Sequence, residues 1–170
     1  MTGYVALLRA VNLFGRPLLM TDLKRIASEI GLVFPRTFIA SGNLLFTSDH
    51  DERELKADIE KAIAAHMGKP IGVMVRTSSE IAAVAAANPF INQPGNRVVA
   101  IFLDQVPAKN AIDQAKNIAD ESLALGKREI YVHYPSGQGR SKLRIPAAEA
   151  GTARNMNTVR KLAQLAKEME

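Results

Sequence analysis

Apolar positions along the chain follow two spacings, and these alternate in a regular order. Tyr4 to Val11 is an apolar, β-rich run, which predicts a buried strand. Arg16-Pro17 breaks it. Leu23, Ile26, Ala27 and Ile30 then recur at i, i+3, i+4 and i+7, one face of a helix. Thr21 or Asp22 is placed to cap that helix, and Gly31 to end it. Arg36–Ala40 and Leu44–Thr47 read as two short strands, with Ser41-Gly42-Asn43 as turn chemistry between them. Asp51, with Glu54 three residues on, opens a second helix whose inner stripe is Leu55, Ile59, Ala62, Ile63 and His66. Gly68 stops it, and Ile71–Val75 is a fourth strand.

The order β-α-β-β-α-β over residues 3–77 is the split βαβ pattern of the ferredoxin-like sandwich. Right-handed crossovers would put both helices on one face of an antiparallel sheet. Thr77 and Glu80 repeat the capping-box spacing before Ile81, Val84 and Ala85, and Asn88-Pro89 ends that short helix. Residues 89–96 are linker-like. The pattern then restarts, with a strand over Val98–Leu103, a helix over Pro107–Ile118 and a hairpin of Glu121–Leu125 with Glu129–Tyr134. An edge strand near Thr152–Arg154 follows, and an amphipathic helix from about Asn157 carries Val159, Leu162, Ala163, Ala166 and Met169 on one face. The expected fold class is therefore α+β, with two ferredoxin-like (α/β-plait, βαββαβ) halves and a C-terminal helix. The expected organisation is a first half over 1–77, a short helix and linker over 78–96, and a second half over 97–170. The likeness between halves is topological, with no sequence repeat.

Composition narrows the chemistry. A chain of 170 residues with 47% hydrophobic content can bury a real core. Cysteine is absent, which excludes a disulfide framework, a thiolate metal site and a cysteine nucleophile. No apolar run approaches the roughly 18 residues of a membrane span. The start, Met1-Thr2-Gly3-Tyr4, lacks a basic leader and a small-residue cleavage site, so it does not read as a signal peptide and the expected location is the cytoplasm. The formal net charge is +5. Nine of the 22 basic residues but four of the 17 acidic ones fall in 126–170, leaving 13 of each in the rest. The whole excess thus lies in the last quarter, which either marks an anionic partner for that end or is a solvated basic surface.

Three places carry candidate chemistry. The first is Tyr134–Lys142, where Gly137 and Gly139 expose backbone N–H groups and Arg140 and Lys142 add charge. Such a loop can cradle a phosphate, although it does not match the G-x-x-x-x-G-K-[ST] signature and also suits a plain connection. The second is Arg154-Asn155-Met156-Asn157-Thr158 at the start of the final helix. Free N–H groups and the positive dipole end favour an anion there, while Asn155 or Asn157 also suits simple capping. The third is Arg9 with Asn12, at the end of an apolar strand, where a buried or half-buried Arg needs either an internal carboxylate or a ligand groove.

Other chemistries find little support. Ser41 lacks an evident base and oxyanion hole, and His50, His66 and His133 are scattered. A zinc or iron site is not expected, and nothing calls for a cofactor. An RNA-recognition module would stack bases on central-strand aromatics, but after Tyr4 the first strand has none and the third offers Phe46 alone.

Tyr4-Val5-Ala6-Leu7-Leu8-Arg9-Ala10-Val11-Asn12, Ser41-Gly42-Asn43-Leu44-Leu45-Phe46 and Thr152-Ala153-Arg154-Asn155-Met156-Asn157-Thr158-Val159-x-Lys161-Leu162 together resemble three ordered motifs of the bacterial domain-of-unknown-function family numbered 1697. The resemblance covers essentially the whole chain. It implies a fold of two ferredoxin-like halves, and it implies no established activity and no catalytic residue. Arg9, Asn12, Ser41, Gly42, Asn43, Arg154, Asn155, Asn157 and Thr158 match its motif positions. Met156 departs from it, standing where many members have an aromatic, which removes a stacking surface.

The expected ligand residues are thus Arg9, Asn12, Asn43, Arg140, Lys142, Arg154, Asn155, Asn157 and Thr158. The expected partner is a phosphate-containing small molecule or nucleic acid, with no membrane. Two other readings stay open. One is a small-substrate enzyme that uses Arg and Asn electrostatics without metal or covalent nucleophile. The other is a structural or protein-interaction module, such as a homodimer.

Overall fold

In the computed structural model, which describes residues 1–9, 18–39 and 42–170, the first apolar run forms strand β1 (Thr2–Leu8). Successive strand residues point to opposite faces, so an unbroken apolar run suits a strand covered on both sides. Val5, Ala6 and Leu7 are indeed fully buried. Antiparallel partners flank β1, namely β3 (Asn43–Ser48) on one edge and β4 (Val73–Thr77) on the other. Outside β3 lies β2 (Val33–Thr37), which gives the order β2-β3-β1-β4.

Helices α1 (Met20–Glu29) and α2 (Glu52–Met67) make the two crossovers. Leu23, Ile26 and Ala27 of α1 and Leu55, Ile59, Ile63 and Met67 of α2 form one core with Tyr4, Ala6, Leu8, Leu44, Phe46, Val73 and Val75 of the sheet. Burying each such large side chain is worth about 1.5–3 kcal/mol. The β-α-β-β-α-β order is as the sequence predicts. Asp51 caps α2 by accepting the Glu54 N–H at 2.9 Å, and Gly68 ends it in the left-handed conformation. The start of α1 differs from expectation. The helix begins at Met20 behind Leu19, which gives no side-chain cap. Asp22 instead lies in the first turn, where an acid favours the helix dipole, 3.9 Å from Arg25 and 3.6 Å from His66.

Both outer strands of this sheet have protected edges. The Lys56 Nζ donates to the Val73 carbonyl at 2.6 Å, and the Val73 N–H donates to Glu60 Oε2 at 3.1 Å. Together they occupy backbone groups that an edge strand leaves open. On the opposite side, β2 carries a register shift between Val33 and Arg36, with Phe34 at φ +52° and Pro35 between them. A bulge and a proline both discourage further strand pairing.

After α3 (Ser78–Ala86) the strand order repeats. Strands β5 (Val98–Phe102), β6 (Ser122–Leu125), β7 (Glu129–His133) and β8 (Thr152–Asn155) form a second antiparallel sheet in the order β6-β7-β5-β8. The capping box at α3 is complete: Thr77 N–H donates to Glu80 Oε1 at 2.9 Å, and Glu80 N–H donates to Thr77 Oγ1 at 3.1 Å. Tyr131 of β7 donates its hydroxyl to the Val84 carbonyl at 2.7 Å, satisfying an acceptor near the end of α3. Burial, followed by the charge of Glu129, pushes the Tyr131 hydroxyl up to about 12.

The expected helix over Pro107–Ile118 does not form. The segment makes successive i+3 turns: Ala111 N–H to Ala108, Asp113 N–H to Asn110 and Ala115 N–H to Ile112. Asn117 at φ +60° closes it, and Lys116 and Arg144 exchange backbone hydrogen bonds at 2.7 and 2.9 Å. Ile118, the last residue of the expected helix, is 48% exposed, and Val106, just before the segment, is 69% exposed. Asn110, Asp113 and Asn117 compete for backbone groups and favour turns over helix. Ala115 and residues 143–148 still cover the face of Val99, Ile101, Ile130 and Val132.

The final helix, α4 (Met156–Glu168), buries Met156, Val159, Leu162, Leu165 and Ala166. Its N-cap is Asn155, whose Oδ1 accepts the Thr158 N–H at 3.0 Å. The chain divides into two compact units, Met1–Ile81 with Leu162–Glu170, and Ala82–Lys161. Among the described residues, no helix is long and apolar enough to cross a membrane.

Two stability changes follow from these contacts. A Cβ at Gly151 would lie 2.6 Å from the Phe102 carbonyl oxygen and 2.9 Å from Leu103 Cδ2. Gly151→Ala is expected to cost about 1–3 kcal/mol, read as a lower midpoint in urea unfolding at unchanged slope. Asn155→Ala should cost about 1 kcal/mol and Asn155→Asp much less, measured in the same way.

Candidate functional site

The second unit holds a groove of about 620 Å³. One wall is Asn117–Glu121, where the turn segment runs into β6. The other is built from Ser136, Gly137, Arg140, Ser141 and Lys142, the glycine-bearing loop after β7. Local chemistry fixes each wall. Gly137 takes φ +89°, a conformation L side chains rarely adopt, and its N–H donates to the Tyr134 carbonyl at 3.0 Å. A 3₁₀ turn over Gln138–Arg140 follows. Arg97 braces the loop through Nη1, which donates to the Pro135 carbonyl at 3.1 Å. Opposite, Glu121 is 8% exposed and its oxygens accept the Ala119 N–H at 3.1 and 3.4 Å. A hydrogen bond from the Ser136 hydroxyl to Asp120 Oδ2 ties the two walls together.

The electrostatics of this groove are mixed. Arg140 and Lys142 are exposed, and neither makes an ion pair among the described residues. Asp120 is exposed, while the Glu121 charge helps to raise Tyr134, whose hydroxyl is lifted first by burial. The site therefore offers two unpaired cations on one wall and two carboxylates on the other. An anionic group can be bound at the cationic wall, and a hydrogen-bond donor at the carboxylate wall.

The remaining expected residues lie elsewhere. Arg9 is exposed just beyond β1, rather than buried or half-buried, and its N–H donates to the Gly72 carbonyl at 2.9 Å. Asn12 and Ser41 lie outside the described residues. Asn43 is buried at the start of β3, where its Nδ2 donates to the Phe38 carbonyl at 2.9 Å and its own carbonyl accepts the Phe38 N–H at 3.2 Å. It thus closes the β2–β3 connection. Arg154 of β8 is half-buried, and its Nη1 donates to Thr152 Oγ1 at 3.0 Å and to the Ala153 carbonyl at 2.8 Å. Burial lowers its guanidinium to about 10, so it stays charged at neutral pH. Asn155 caps α4 by accepting the Thr158 N–H. Asn157 rests against Gly95, where there is no room for a Cβ, and accepts from Arg160 Nη1 at 3.4 Å. Of the expected residues that are described, Arg140 and Lys142 alone line the groove.

Sequence reading did not single out Asp120, Glu121 or Ile118, nor Arg97 behind the loop. An acidic pair before a strand and an apolar residue in an expected helix carry no motif. The basic loop facing them did carry a signal, its glycines and its charge.

Comparison with known proteins bears on the fold. The conserved bacterial protein SP0830 from Streptococcus pneumoniae matches with a TM-score of 0.80, at 23% sequence identity, over 97% of this chain and 98% of that one. That likeness shows a shared fold. No curated protein matches. A family model described as "Protein of unknown function (DUF1697)" matches residues 1–131, a span that takes in the first sheet and the Asn117–Glu121 wall and ends before the basic loop. The three motifs read in the sequence and this match agree, and the chain belongs to the DUF1697 family.

Proposed function

We propose that this protein binds a phosphate-bearing anion in the groove between Asn117–Glu121 and the Ser136–Lys142 loop. The observation that carries this reading is the pair of exposed cations, Arg140 and Lys142, on one wall without ion-pair partners among the described residues. Two other arginines of the last quarter are already engaged. Arg144 pairs with Glu149 at 3.0 Å, and Arg154 bonds to its own strand. Unpaired cations on a loop braced by Arg97 are pre-positioned for an anion, which lowers the ordering cost of binding. A guanidinium adds planar, two-point recognition of phosphate oxygens.

Arg140→Ala combined with Lys142→Ala should weaken binding of inorganic phosphate about tenfold or more, measured by isothermal titration calorimetry. Unfolding should be unchanged, because both side chains are exposed. Arg154→Ala should show the reverse, with lower stability and retained phosphate binding. Phosphate affinity left intact in the double variant would overturn the reading.

A further inference from the structure

We infer that the groove selects a small phosphomonoester bearing hydroxyl donors and an apolar face, of the nucleoside monophosphate kind, over polyphosphates and nucleic-acid backbones. This inference rests on the anion-binding reading above and concerns what else the groove contains. A site made for a polyanion would line its track with positive charge. Here the cations Arg140 and Lys142 share the groove with Asp120 and Glu121. A single phosphate can sit at the cationic wall, but each further phosphate must approach a carboxylate. Charges within about 8 Å of one another are not screened out at physiological salt, so carboxylates lining the same groove oppose added negative charge.

The carboxylate wall is also equipped to bind. Asp120 is exposed, and its Oδ2 takes the Ser136 hydroxyl, leaving Oδ1 to accept from a ligand hydroxyl. Beside it Ile118, 48% exposed, gives the groove an apolar surface against which a base or sugar ring can lie. The volume, about 620 Å³, falls in the range of small-molecule sites, about 300–1,000 Å³. A phosphate, hydroxyl donors and an apolar ring in one small molecule match these three surfaces together.

The test compares four probes by calorimetry on the full chain: inorganic phosphate, adenosine monophosphate, adenosine triphosphate and a short single-stranded oligothymidylate. For the unaltered protein, adenosine monophosphate should bind about tenfold more tightly than inorganic phosphate, and more tightly than the triphosphate or the oligonucleotide. Asp120→Asn keeps an acceptor for Ser136 and removes the charge. It should erase the monophosphate's advantage and strengthen the triphosphate and the oligonucleotide. A loss of structure alone would weaken all four together. The inference is overturned if the triphosphate or oligonucleotide binds the unaltered protein as tightly as the monophosphate, or if the monophosphate binds no better than phosphate. In both cases, phosphate binding that still depends on Arg140 and Lys142 would leave the anion-binding reading standing. If none of the four binds, both readings fall. The ranking on the unaltered protein decides the matter even if Asp120→Asn does not fold.

Discussion

Two strands buried on both faces, β1 and β5, set the terms for the elements around them. A strand without an exposed face cannot give its backbone N–H and C=O groups to water, so it needs hydrogen-bonded neighbours on both edges. That requirement makes β1 and β5 central and puts β3 and β4, or β7 and β8, beside them. The less buried strands β2 and β6 are left outermost. In the first sheet, the exposed edges then need their own protection. The Lys56–Glu60 clamp on Val73 and the bulged, proline-bearing β2 supply it by different means.

The two sheets share a strand order, but their connections differ. In the first sheet, amphipathic helices lie over one face and close a single core. In the second, the same spans are crossed by turns and short 3₁₀ segments, with the Lys116–Arg144 backbone bridge between them. A helix would have satisfied its own backbone and shown one stripe to the sheet. Turns leave side chains pointing several ways, and the walls of the groove come from such backbone. Polar and charged groups converge there because irregular connections carry them, while the sheet beneath supplies rigidity.

Central strands, both crossover helices of the first sheet, the Asp51 and Thr77 caps and the amphipathic last helix were legible in the sequence. Each rests on local physics: unbroken apolar runs, a 3.6-residue stripe, or a side chain that reaches a backbone N–H three residues away. The helix over Pro107–Ile118 was misread because alanines and isoleucines at helical spacing look alike whether or not the backbone closes. Asn110, Asp113 and Asn117 decided the matter through turns. Among candidate site residues, Asn43 and Asn155 were visible as polar positions at strand and helix ends. Capping was one of the readings open for Asn155, and the Thr158 N–H that it accepts decides for it, while the role of Asn43 in closing a connection came from a hydrogen bond that spacing alone does not reveal.

By itself the sequence determined the element order, the excess of positive charge in the last quarter, and the glycine-bearing basic loop. These depend on residues near one another in the chain. Tertiary structure decided which basic residues are engaged, because even a partner five residues away, as Glu149 is from Arg144, is reached only once the loop has its shape. It set Arg140 and Lys142 beside Asp120 and Glu121, and it turned Arg154 back onto its own strand. The charge excess pointed to the last quarter of the chain, as an anion-binding end or a solvated basic surface. Folding brought acids from an earlier segment to the same groove, and the field a ligand meets is the sum over that groove rather than over the last quarter of the chain.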